Sequence, residues 1–91
     1  MNRITDPDAF IHESRVFESQ GNLMAALEHA QRAVNCYSPT ENPQEWAGAL
    51  VRVAEIQSRR GQYAQALENT TQAIPFLTDQ PQLVDALIVQ G

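Results

Sequence analysis

Gly21-Asn22-Leu23-Met24-Ala25-Ala26-Leu27-Glu28 returns forty residues later as Gly61-Gln62-Tyr63-Ala64-Gln65-Ala66-Leu67-Glu68. Extending the comparison forward sets Ala33-Val34 on Ala73-Ile74. Extending it backward sets Ala9-Phe10-Ile11 on Ala49-Leu50-Val51, and Val16 on Ile56. The matches fall mainly on small and apolar positions that recur in steps of three and four. After Gly21 these are Leu23, Ala26, Leu27, Ala30, Ala33, Val34 and Tyr37. After Gly61 they are Tyr63, Ala66, Leu67, Ala73, Ile74 and Leu77, with Thr70 where an apolar residue would stand. This period belongs to one face of an α-helix, whereas a half-buried strand would alternate. The stretch before Gly61 keeps the same period through Trp46, Ala49, Leu50, Val53, Ala54 and Gln57.

The punctuation agrees with that reading. Asp6-Pro7, Asn42-Pro43 and Gln80-Pro81 each precede a helical pattern. Asp or Asn can cap free backbone N–H groups, and Pro suits the first helical turn because its missing N–H would be unpaired there. Asn42 to Glu45 has the spacing of a capping box. Gly21 and Gly61 stand where one helix stops and the next starts, and Pro75 predicts a kink or an end in the fourth helix. The expected helices are therefore 7–20, 22–37, 43–60, 63–76 and 81–90. Short turns force neighbours to pack antiparallel, so the fold class is all-α. One domain covers 1–91, with a first hairpin at 7–37, a second at 43–77 and a lone helix at 81–91.

A helix, a Gly-bearing turn, a second helix and a Pro-bearing loop, repeated, resembles the tetratricopeptide family and its α-α superhelix. The resemblance is carried by Gly21/Leu23/Ala26/Leu27 and Gly61/Tyr63/Ala66/Leu67, by the later small residues Ala33 and Ala73, by Phe10 and Leu50, and by Ser14 and Ala54. It covers nearly the whole chain. The period is forty rather than the commoner value of about thirty-four, because the third helix begins a turn early at Pro43. Glu13 stands where the family has an apolar residue, so the first hairpin is expected to be solvated there, as a terminal cap is. Longer repeats of this kind are similar to those of bacterial regulatory and signalling proteins. Independently of the family, small residues let helices approach closely. Ala26, Ala33, Ala66 and Ala73 are the expected contacts, with Phe10, Phe17, Trp46 and Leu50 packed beside them.

Composition narrows the function. The net charge is −5, and all six basic residues are Arg. The nearest basic cluster, Arg52, Arg59 and Arg60, is diluted by Glu55, so no nucleic-acid partner is expected. Leu87-Ile88-Val89 is far too short to cross a bilayer. The N-terminal residues lack the apolar core of a signal peptide, which predicts a cytoplasmic protein without membrane contact. The four Gly are isolated, so there is no phosphate-binding loop. His12 and Glu13 are adjacent and point to different helix faces. His29 is expected on a solvated face, and Cys36 is expected as a small apolar residue near a helix end. Asn69-Thr70-Thr71 has the form of a glycosylation sequon but falls within a helix. No catalytic residue, cofactor or metal is predicted, and the chain is read as a non-enzyme.

The resemblance implies a protein or peptide partner held on a concave face lined by the first helix of each hairpin. The residues there that avoid the core stripe include Ile11, Arg15 and Ser19, then Val51, Arg52, Glu55 and Arg59. Ile11 and Val51 are expected to face solvent, and Arg15, Arg52 and Arg59 to be able to clamp a carboxylate. An ordinary solvated helix face has the same composition. Leu83, Leu87 and Ile88 on the last helix form an apolar face expected to support self-association. That helix either covers the second hairpin or opens a third repeat, and the stop after Gln90-Gly91 favours a piece of a longer array. Two functions follow: an interaction scaffold within a larger regulatory protein, or a structural, self-associating helical unit with no external ligand.

Overall fold

A computed structural model of the chain describes residues 6–77. It contains α1 (Pro7–Ser19), α2 (Leu23–Cys36), α3 (Pro43–Arg59) and α4 (Tyr63–Ala73), followed by a 3-10 turn at Ile74–Phe76. The described residues are all-α, forming two antiparallel hairpins, α1–α2 and α3–α4, joined through α2 and α3. The expected helix at 81–90, with Leu83, Leu87 and Ile88, lies outside the described residues.

Both hairpin turns are closed in the same way. At the first, Asn22 N–H donates to Phe17 O at 2.9 Å and Gly21 N–H to Glu18 O at 3.0 Å. At the second, Gln62 N–H donates to Gln57 O at 2.8 Å and Gly61 N–H to Ser58 O at 3.1 Å. This is the Schellman arrangement, which satisfies carbonyls at the helix end and needs one left-handed residue. Gly21 and Gly61 supply it at φ +81° and +80°. Pro75 acts as its missing N–H requires: the α-helix ends at Ala73 and the chain tightens into the 3-10 turn.

The starts of the helices divide. Asp6 caps α1 by accepting from Asp8 N–H at 3.0 Å, and Asn22 caps α2 by accepting from Ala25 N–H at 3.2 Å. The capping box expected at Asn42 does not form. No side-chain cap bond is made there, because the Asn42 N–H that Glu45 would have reached already donates to Ser38 O at 2.8 Å.

Packing follows the small residues. Ala26, Ala30, Ala33, Ala47, Ala54, Ala66 and Ala73 are all buried. Ser14 is buried too, and its hydroxyl donates to Ala26 O at 2.8 Å, a contact that needs α1 and α2 close together. Three apolar clusters form the core: Leu50, Val51 and Leu77 between α3 and the C-terminal side; Val53 and Ile56 against Ala26 and Ala30; and Phe10 with Ala33 and Ala49. Half-buried Val34 touches all three. Trp46 meets Phe76 edge-on, with ring centres 5.7 Å apart.

Because α3 lies between the first hairpin and α4, its apolar stripe widens into a nearly complete girdle. Val51 was expected to face solvent and is instead 1 % exposed, packed with Ala47, Leu50, Ala73 and Leu77. His29 was likewise expected in solvent. It lies half-buried against Phe17 (5.0 Å between ring centres) and Phe10 (6.3 Å). Its Nδ1 is 2.8 Å from Ala25 O, so in the neutral ring Nδ1 carries the proton and Nε2 faces Glu13 at 3.7 Å. The equivalent place in the second hairpin holds an amide pair, Asn69 Nδ2 donating to Gln57 Oε1 at 2.7 Å. The two repeats thus fill one position with different chemistry.

Candidate functional site

Residues of α1 and α3, the first helices of the two hairpins, line a groove of about 220 Å³. Five of the seven residues expected on the binding face line it: Ile11, Arg15, Val51, Arg52 and Glu55. Ser19 and Arg59 do not. The Ser19 hydroxyl donates to Val16 O at 2.7 Å, within its own helix, and Arg59 is held by Glu18.

Glu18, in the last turn of α1, organises the charges. Arg59 Nη1 donates to its Oε2 at 2.5 Å, and Arg52 Nη2 meets its Oε1 as an ion pair without hydrogen-bond alignment. Arg52 Nη1 is also 3.6 Å from Glu55 Oε1. Arg52 is only 7 % exposed, and its Nε has no acceptor among the described residues. Burial by itself would push the Glu18 carboxyl up, but the guanidinium groups of Arg59 and Arg52 outweigh it and hold Glu18 below the usual carboxylate range. The three-arginine clamp is therefore not preassembled. Two of its members already neutralise Glu18, and the carboxylate joins the two hairpins.

That leaves Arg15, which is exposed and has no ion-pair partner among the described residues. Around it the groove combines apolar and polar walls. Ile11, Ala49 and Val51 supply carbon, while Glu45, Arg52 and Glu55 line it with charged groups. Gly48 contributes no side chain, which keeps that stretch of α3 low.

Tyr37, expected on the core stripe, packs half-buried against the Phe10, Ala33 and Ala49 cluster and also lines the groove. It is the residue just past the end of α2, where the backbone is already extended (φ −108°, ψ 158°). Burial, then the carboxylates of Asp8 and Glu45, push its phenol up, so it remains a hydrogen-bond donor at neutral pH. The Asn-Cys-Tyr-Ser-Pro run at the end of the periodic stretch was the signal that Tyr37 leaves the helix.

Other chemistry is thin. Cys36 ends α2, half-buried against the Phe10 cluster. Burial and then the Asp6 charge push its thiol up, away from the reactive thiolate. Among the described residues, no group of three His, Cys, Asp or Glu is placed to hold a metal ion. None of the helices described is long and apolar enough to cross a membrane. Comparison with protein-family models, curated proteins and solved structures finds no match to the chain.

Proposed function

We propose that the chain is a non-catalytic interaction module of the tetratricopeptide type, acting in the cytoplasm within a larger regulatory or signalling protein, and that its α1–α3 groove binds a segment of another protein. The observation that carries this reading is Arg15. It is an exposed cation without an ion-pair partner among the described residues, beside the half-buried carbon of Ile11 and Tyr37, whereas Arg52 in the same groove is already held by Glu18 and Glu55. Such a wall fits a short peptide that presents one apolar side chain next to one carboxylate. The carboxylate would pair with Arg15, and the apolar group would cover Ile11. The resemblance of both hairpin turns to the tetratricopeptide pattern supports the same face, since in that family the first helices carry the partner.

Selection of a random peptide library on the immobilised chain tests this. The enriched peptides should carry an acidic residue beside an apolar one. They should lose at least about tenfold in affinity, roughly 1.4 kcal/mol, to the Arg15→Glu variant, whose exposed position leaves the helices intact by circular dichroism. Enriched peptides that bind Arg15→Glu as well as the parent would remove the groove as the site.

A further inference from the structure

We infer that the α1–α3 groove selects a peptide with two opposite charges, its basic residue about three or four positions from the acidic one and lying over the first turns of α1 and α3. This rests on the peptide-binding reading above and adds the second half of what the peptide must present. It starts from the direction of the two helices. Their C-terminal parts meet where Glu18 of α1 pairs with Arg52 and Arg59 of α3. Their N-terminal parts meet around Tyr37, which packs with Phe10 of α1 and Ala49 of α3. Helices α1 and α3 thus point the same way, and one end of the groove is made by their first turns. Asp8 stands in the first turn of α1 and Glu45 in that of α3. After burial, their two charges are the next causes that push the Tyr37 phenol up.

Charge is unevenly spread along this groove. At the far end Glu18 and Glu55 hold Arg52, and Glu18 also holds Arg59. At the near end Asp8 and Glu45 are exposed, and neither has an ion-pair partner among the described residues. Carboxylates in a first turn also stabilise their own helix, but each helix end carries only about half a positive charge. Two carboxylates outweigh two such ends, and exposed Asp6 adds to them. The near end therefore stays negative, and Glu45 beside Tyr37 brings that field into the groove.

The spacing sets the register. Asp8 and Arg15 are seven residues apart on α1, with Ile11 between them, which is about 10 Å along the helix. An extended peptide covers that length in about three or four residues. A peptide with its acidic residue on Arg15 and its apolar one on Ile11 brings the residue at that spacing over the carboxylates. Lys or Arg is attracted there, and Asp or Glu is repelled. Opposite charges at the two ends fix the direction of the peptide as well as its composition.

The spacing of charges in peptides selected from a random library on the immobilised full chain tests this. Enriched peptides should carry Lys or Arg about three or four positions from the acidic residue, always on the same side of it. Glu45→Arg, checked for helical content by circular dichroism, should weaken them at least about fivefold, because an exposed attraction becomes a repulsion. A fresh selection on Glu45→Arg should no longer enrich the basic residue. Asp8→Asn should weaken the same peptides by a smaller factor, and peptides with the basic residue changed to Gln should bind the parent and Glu45→Arg alike. Enriched peptides that depend on Arg15 but carry no recurring basic residue would overturn this inference and leave the acidic-and-apolar reading standing. The same result is obtained if Arg3, which lies outside the described residues, already answers the carboxylates. A selection that enriches nothing, or peptides indifferent to Arg15→Glu, would overturn both.

Discussion

Replacing Glu18 by Gln keeps the size of the side chain and removes the charge that joins the hairpins. Its consequences follow from burial. The Arg52 side chain is 8 % exposed and the Glu18 side chain 16 % exposed, whereas Arg59 is 58 % exposed. Removing one partner of a buried pair costs about 3–5 kcal/mol, because the remaining charge is stranded. Glu55 still lies 3.6 Å from Arg52 and offsets part of that, and the pair with exposed Arg59 adds at most about 1 kcal/mol. The expected loss is therefore roughly 2–3 kcal/mol. At about 4–8 °C per kcal/mol for a domain of this size, the melting temperature should fall by about 10 °C or more. Urea unfolding followed by far-ultraviolet circular dichroism at pH 7 measures it, with an unchanged slope showing that only stability moved. The pH dependence has a defined sign. Glu18 titrates lower in the folded chain than in the unfolded one, so the unfolded state takes up the proton first as pH falls. Its contribution is full above the ordinary carboxylate range and is lost as pH falls through the folded value, so parent and Glu18→Gln should converge in acid. Substituting both partners with carbon, Glu18→Leu with Arg52→Met, should recover most of the loss. A Glu18→Gln protein within about 0.5 kcal/mol of the parent, the ordinary range for surface changes, would refute the claim that this carboxylate joins the hairpins.

Three further outcomes are expected. Ala66→Leu places a large side chain where α4 is 1 % exposed and should cost roughly 1–3 kcal/mol by overpacking, read as a lower urea midpoint. Gly61→Ala meets nothing within 4 Å, so its cost is that of holding Ala at φ +80°, about 1–2 kcal/mol, with Gly61→Asn losing less in the same assay. Cys36 should react with iodoacetamide more slowly at neutral pH than the same cysteine in urea, because burial holds its thiol protonated.

The helices and their turns were legible in the sequence because their causes are local. Gly21, Gly61 and Pro75 impose backbone geometry wherever they stand, and a period of three and four survives any arrangement of neighbours. Burial set by packing between helices was not legible. Val51 is enclosed from its own hairpin by Ala73 and Leu77, and Arg52 by its reach to Glu18 of α1, and neither contact follows from a period of three and four. The Glu18–Arg59 contact spans 41 residues and left no local pattern. One trace of it does exist in the repeat itself. Glu18 aligns with Ser58, Arg52 with His12 and Arg59 with Ser19, so the two first helices depart from each other in opposite charge. The Asn42 cap misled for a related reason: Ser38 in the preceding loop claims the N–H that the local motif needed.

The edge-on contact of Trp46 with Phe76 makes the chain's only tryptophan a reporter for half of the molecule. Its emission senses α3 and the turn after α4, while far-ultraviolet circular dichroism averages over every helix. In a stacked-repeat protein, stability is the sum of each unit and of the interface between units. Coincident transitions by the two probes would mean that the α2–α3 interface makes the hairpins unfold as one; separated transitions would measure, in a single sample, how far one repeat can melt without the other.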